Sequence, residues 1–271
     1  MHVRITARRS WFDFDLRALW QFRDFAFILA LRDIKLRYRQ TALGVIGVVL
    51  QPLLTAGVLT FVFGKVANLP SERTPYFALA FAGFTGWNLF SNIVLRSTTS
   101  LVNNASMVSK IYVPRLSVPL SGILVVIFDA AVTALLLVGT MVAYRITPTL
   151  ATLLVPLWLA GMLALGLGLG AACGAVMVYK RDVLTGVSAA LQAMMYMTPV
   201  AYSSSAVPHS VRALYRLNPM ATFIEGFRWS LLGTGLPTTS RIVVASVVSV
   251  IALVGGLAVF ARLERGLADV I

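Results

Sequence analysis

Apolar residues in this chain come in long unbroken runs, not in alternation. Six stretches qualify as membrane spans: about 41–63, 76–95, 118–143, 150–178, 183–202 and 242–261. A span needs ~20 mostly apolar residues to cross a ~30 Å hydrocarbon core. Each stretch reaches that length and is bounded by charge, Pro or Gly. The continuity of the runs argues against a β-barrel, whose strands alternate. The bilayer offers no partner to free backbone groups, so the spans are expected to be helices. The expected class is an all-α polytopic membrane protein, a single transmembrane domain over 1–271.

Two segments break the pattern. Residues 10–40 mix apolar, aromatic and basic positions. On a helical wheel Leu16, Leu19, Trp20, Phe27, Leu31, Ile34 and Tyr38 form one arc. Arg17, Gln21, Asp24, Arg32, Lys35 and Arg39 lie beside it, although Arg23 and Arg37 intrude on the apolar arc. Such a helix suits a membrane interface; a solvated helix that only sets topology is the plainer reading. Residues 203–240 contain Pro208, Asn218-Pro219 and Pro237 around the stretch Met220–Leu232, apolar but too short and polar to cross. Short helices dipping back from one face, a re-entrant element, are expected there; irregular backbone survives at that depth only under cover of protein or a water-filled cavity.

Composition agrees. Charged residues make up 12% of the 271 and hydrophobic ones 58%, with mean hydropathy +0.84. A soluble domain carries about 25% charge. The net charge of +13 would raise the question of nucleic acid in a soluble protein, but here the basic residues cluster at span ends. Sixteen Lys and Arg fall on one side of the proposed topology and seven on the other, which places both termini in the cytoplasm. The first 40 residues have no short apolar core of a cleavable signal peptide. The lone Cys173 can form no intrachain disulfide.

Candidate chemistry is sparse. His2 and His209 are the only histidines, no His/Cys cluster suits a metal, and no phosphate-binding loop of the Gly-x-x-x-x-Gly-Lys type is present. No catalytic residue, metal site or cofactor is therefore assigned to this chain. Asp129 is the one acid well inside a span; it lines a polar path or pairs with another helix. Gly166, Gly170 and Gly174, with Gly168 between, form a small-residue face that packs within the subunit or at a dimer seam. Met194, Met195, Tyr196, Met197, Pro199 and Tyr202 close the fifth span as ordinary core or as an adaptable lining for sugar or lipid. Glu225 and Arg228 share a helical face and either brace the re-entrant turn or meet a polar substrate. Phe223, Phe227 and Trp229 belong to the same stretch and join it as substrate-path candidates. The loop Ser100–Arg115 has no acid, a helix-compatible centre and a stop at Pro114; it is a docking finger for a cytoplasmic partner or an interfacial connector.

The spelling adds a resemblance. Arg32-Asp33, Arg37-Tyr38, Gln40-Thr41, Leu43-Gly44 and Gln51-Pro52-Leu53 resemble the opening signature of type-2 ABC exporter permeases of the polysaccharide (Wzm-like) and teichoic-acid export group. Asn103 or Asn104, Lys110, Tyr112, Pro114-Arg115 and Pro119 are similar to that family's cytoplasmic loop, and Asn218-Pro219 with Glu225-Gly226 and Arg228 to its outer re-entrant segment. Gly47 stands where the family often has Trp, which loosens the packing assigned to that position. The resemblance implies a homodimer in the bacterial inner membrane, with two cytoplasmic ATPase subunits that hold ATP and Mg. It implies coupling through residues 100–112, with Asn103, Asn104, Met107, Lys110 and Tyr112, and a gate in the re-entrant helices. The implied substrate is a lipid-linked (polyprenyl-diphosphate) glycan such as O-antigen. Arg32, Lys35, Arg37 and Arg39 could meet its diphosphate or, equally, anionic membrane lipids. Teichoic-acid, glycolipid or drug export are alternatives within the class. A secondary transporter or a membrane enzyme acting on lipid-linked sugars are alternatives outside it, each short of the residues it needs.

Overall fold

The structure, a computed structural model, describes residues 20–39, 44–71, 74–108, 114, 116–203, 207, 215 and 217–263. Among these, every regular element is a helix. Helix α1 is Arg23–Arg39 and α2 is Gly44–Leu59, continued by a π-helical turn at Thr60–Val66. Then come α3 (Tyr76–Asn103), the short α4 (Ala105–Val108) and α5 (Ser117–Ala143). A 3-10 turn at Leu150–Leu154 leads into α6 (Val155–Met177), followed by α7 (Val183–Met197), α8 (Pro219–Leu232) and α9 (Thr239–Leu263).

Five helical stretches are long and apolar enough to span: 49–66, 76–103, 117–143, 150–177 and 239–263. Their composition sorts them by surroundings. α3 has the lowest mean hydropathy of the five, 1.3 against 2.7 for α9, yet 78% of its span window is buried against 17%. It is the central post, packed against α5, α6, α8, α2 and α7. Its small residues Ala78, Ala82, Gly83 and Gly86 let neighbours approach, while Phe81, Trp87, Phe90 and Ile93 fill the core. Its buried Thr85, Thr98 and Ser100 return their hydroxyls to carbonyls one turn back, so the polarity costs little. The outer helices spend their apolar surface on lipid instead.

The glycine-rich face of α6 serves packing within the chain, on two sides. Gly166, Gly170 and Gly174 lie against α3, where an added Cβ at Gly170 would sit 2.6 Å from Ser97 Cβ. Gly168 lies backbone to backbone with Gly256 of α9, and a Cβ on either would collide with the other helix's main chain.

Several sequence boundaries shift. The second span does not stop at residue 95: α3 runs to Asn103, because Arg96 pairs with Asp129 of α5 (3.8 Å) and so does not end the helix. The fifth span does not reach residue 202. α7 ends at Met197, where Thr198 turns extended ahead of Pro199, and its 15 residues span only ~22 Å. Of the short helices expected in 203–240, the described residues include the 14-residue α8, and Tyr215 and Leu217 ahead of it are helical too. The docking helix in 100–112 resolves to the end of α3 plus α4; Lys110 and Tyr112 lie outside the described residues.

The structure adds which side of the first helix packs on the chain. α1 seats its small side, Ala26, Leu29 and Ala30, on the bundle near Leu101, Leu116 and Phe260. The large arc stays open: Trp20 is 69% exposed and Phe27 56%, with Leu31 also exposed. Small residues allow close helix approach, and the bulky arc is left for an interface.

Candidate functional site

The most elaborated part of the molecule is the end where α7 stops and α8 begins. Residues 198–203 are irregular but buried, so their carbonyls need donors. Side chains supply them. Arg228 donates through Nη2 to Val200 O (2.7 Å), Nη1 to Tyr202 O (3.0 Å) and Nε to Leu79 O (3.0 Å). Tyr76 donates its phenol to Ala201 O at 2.6 Å. One guanidinium thus ties α8 to the central post and to the segment after α7. A Cβ at Gly83 would strike Val200 O and the Arg228 guanidinium, so Gly83 is the floor of this seat.

The sequence of α8 explains its placement. Asn218 caps the helix by accepting from Met220 N (3.0 Å), and Pro219 fills the first position, where no amide partner is needed. Gly233, at φ 70°, ends it in the left-handed region. The Asn218 amide also donates to Thr198 Oγ1 (2.9 Å), stitching the helix start to the end of α7. On the far side Trp158 donates Nε1–H to Ser230 Oγ (2.8 Å), and its indole lies flat enough on α8 to require Gly226 there. Glu225 is shared between Arg241 at the start of α9 (2.6 Å) and the Tyr215 hydroxyl (2.7 Å). Burial, and then the adjacent Glu225 carboxylate, hold the Tyr215 phenol far above its ordinary range, so it stays protonated and donates. α8 is clamped to α3, the end of α7 and α9 by polar contacts from Arg228, Asn218 and Glu225, and to α6 by Ser230.

The opposite end holds a second cluster. Arg32 Nη2 donates to Asn104 Oδ1 (2.9 Å), and Asn104 Nδ2 returns to Ser100 O (2.9 Å). Arg32 also grips Asp33 (2.8 Å). Met107 of α4 packs on the neighbouring apolar cluster, and Asn103 is exposed. This bond joins α1 to the loop after α3.

The remaining candidates fall apart from one another. Phe223 and Phe227 are buried in the chain's own core, and Trp229 is half-buried against it. Tyr196 is exposed on α7, and Tyr202 donates its hydroxyl to Tyr196 O (3.1 Å). Asp129 is paired across to Arg96. Arg37, Tyr38 and Arg39 sit on the last turn of α1, but their side chains lie outside the described residues. Among the described residues no group of three His, Cys, Asp or Glu gathers to hold a metal.

Sequence reasoning missed one feature. The exposed side of α7 carries Thr185, Ser188, Gln192 and Tyr196 on one stripe, while Val187 and Leu191 face the bundle. A lipid-facing helix would be apolar there. The signal was available: Thr-x-x-Ser-x-x-x-Gln-x-x-x-Tyr has the helical period.

The ABC-2 type transporter family model matches residues 25–232, from α1 to the last residue of α8. The chain belongs to this family. As an ABC-2 transporter chain it is the membrane subunit of a transporter that associates with ABC ATPase subunits, not an enzyme in itself, and its place is the bacterial inner membrane. Among its relatives is the O-antigen export system permease protein RfbA of Klebsiella pneumoniae, 26% identical over 92% of this chain and 95% of that protein. Another is the protein of the same name from Myxococcus xanthus, 27% identical over 90% of this chain and 94% of that one. The ABC-2 match covers both polar clusters, Arg32 with Asn104 and the Arg228 seat, and leaves out α9, which supplies Arg241.

Proposed function

We propose that the chain is the transmembrane subunit of an ATP-driven exporter of a cell-envelope polysaccharide, O-antigen or a close relation, carried on a polyprenyl-diphosphate lipid. The observation that carries this reading is end-to-end similarity to O-antigen export permeases. The geometry supports it. A single copy leaves the Thr185–Tyr196 stripe of α7 exposed, and the proposed homodimer would turn two such stripes toward a shared aqueous path. Polar and aromatic groups along such a path suit a sugar polymer, which slides past many weak contacts instead of filling one pocket.

In this reading α8 and the buried 198–203 segment form the outer gate, and α1 lies along the inner membrane face. The Arg32–Asn104 bond links α1 to the segment seated on the ATPase, so nucleotide-driven movement of residues 100–112 reaches α1 directly. The test is complementation. A strain lacking its permease and carrying this chain with its own ATPase should display surface glycan. Accumulation of undecorated lipid-linked glycan inside the cell, despite stable membrane insertion of both subunits, would reject the substrate.

A further inference from the structure

One side of the central post carries chemistry that packing does not use. Asn88, Ser91, Asn92 and Thr99 of α3 recur at helical spacing, and all four are partly exposed. They point away from α6, which holds the opposite side of α3 through Ile93 and Ser97. α2, which also packs on α5, and α7, which also packs on α6, flank α3 but pack little on each other. The polar side of α3 is therefore the floor of a gap between α2 and α7. Asn88 and Asn92 lie near the middle of the 28-residue α3, well within bilayer depth. A polar group is costly there against lipid, and far less so against water or a polar partner. Ser91 and Thr99 return their hydroxyls to carbonyls of their own helix and need nothing further. The carboxamides differ. Asn92 Nδ2 donates to the main-chain and side-chain oxygens of Asn88, which locks the pair together. Asn88 Nδ2 and Asn92 Oδ1 then have no hydrogen-bond partner among the described residues. The locked pair so presents a donor beside an acceptor. Gln192, exposed on α7, adds a carboxamide that is likewise unengaged among the described residues. Val200 O lies against Gly83, and stepping inward along α7 and α3 from that level brings Gln192 to the depth of Asn88 and Asn92.

We propose that Asn88 and Asn92, with Gln192, form a neutral carboxamide rail that hydrogen-bonds the hydroxyls of the glycan as it passes the middle of the membrane. The proposal rests on the export reading and names the residues that meet the polymer. A sugar hydroxyl both donates and accepts, so neighbouring hydroxyls on a ring match an adjacent donor and acceptor. Neutral amides make contacts of modest strength, which lets each sugar be handed on; charged groups would hold it harder.

The test uses cells that carry the full permease with its ATPase, in a Cys173→Ser background. Asn88→Cys, Asn92→Cys and Gln192→Cys are treated one at a time with a water-soluble methanethiosulfonate, with Val247→Cys on the exposed side of α9 as the control. A thiol held in apolar surroundings forms little thiolate, so the three rail positions should label about tenfold or more faster than the control. Their labelling should slow when the cell makes the glycan, compared with a strain that cannot start it. In a second arm, Asn88→Leu/Asn92→Leu should cut surface glycan about fivefold or more, while Asn88→Ser/Asn92→Ser, which keeps hydrogen-bonding groups there, should lose less. If the leucine variant fails to insert, the labelling decides. Rail cysteines as slow as the control place this side against lipid or a second copy and overturn the proposal. Labelling indifferent to glycan synthesis, or export at the parent rate by the inserted leucine variant, overturns it too; in each case export by the unsubstituted chain leaves the export reading standing. An unsubstituted chain that exports no glycan defeats the export reading, and this proposal with it.

Discussion

Replacing Arg228 with Met should unseat α8. The variant keeps most of the stem's packing and removes three donors from the carbonyls of Leu79, Val200 and Tyr202. Hydrogen bonds to a charged group contribute about 1.5–3 kcal/mol each. Losing the buried charge relieves part of its desolvation cost, and Leu79 lies in a helix, where its carbonyl has a second partner to share. We expect a net loss of about 3–5 kcal/mol, or about 10 °C in midpoint for a chain of this size. Gly83→Ala attacks the same seat from below, because its Cβ would occupy the place of the guanidinium and of Val200 O. The two changes should therefore fail to add: the double variant should lose about as much as the worse single one. Thermal unfolding in detergent, followed by Trp fluorescence, gives the energies. Amide exchange in residues 198–203 and 219–232 shows whether the loss is local. Arg228→Met within about 0.5 kcal/mol of the parent, or strictly additive losses, would refute the reasoning.

Other expectations follow from single contacts. Gly256→Val should disrupt the α6–α9 crossing and lower expression and midpoint sharply, whereas Gly255→Ala, with open space around it, should change neither. Asn104→Ala should break the bond to Arg32 and reduce transport per ATP hydrolysed while leaving hydrolysis itself near normal; equal transport per ATP would remove the proposed link. In a Cys173→Ser background, single cysteines at Thr185, Ser188 and Gln192 should react with a water-soluble maleimide faster than one at Leu191. Uniformly slow labelling would place the stripe against lipid or protein. Asp129→Asn should alter export by no more than a few-fold, because its carboxylate sits at 3.8 Å from Arg96 as a structural partner; total loss of export would return it to the substrate path.

The helical membrane class was legible because runs such as 117–143 are long and apolar on every side. The ends of runs were less so. Arg96 reads as a boundary in one dimension but has an acid partner 33 positions away, and only the packed bundle reveals it. Residues 198–202 read as helix because they are apolar, yet Pro199 and the donors from Arg228 and Tyr76 make an irregular path cheaper than another helical turn. The wheel of α1 grouped the large apolar residues on one arc but gave no sign of the packed side, since close docking rewards Ala26 and Ala30 over Trp20. At the site, the Asn218-Pro219 cap and Gly233 stop are local signals that any reader can decode. The role of Arg228 is not local: its acceptors come from α3 and from the segment after α7. Phe223 and Phe227 were drawn to the path by chemistry alone, while their position places them in the core.

The central claim is that this chain moves a lipid-linked glycan only when a separate ATPase works. The direct measurement uses vesicles holding the purified permease, its ATPase and a fluorescent polyprenyl-diphosphate glycan, with export read by access of an added lectin or glycosidase. Transfer should require ATP and stop when the ATPase carries an inactive catalytic glutamate. Transfer that persists with the inactive ATPase, or chemical conversion of the lipid-linked sugar by the permease alone, would contradict the account.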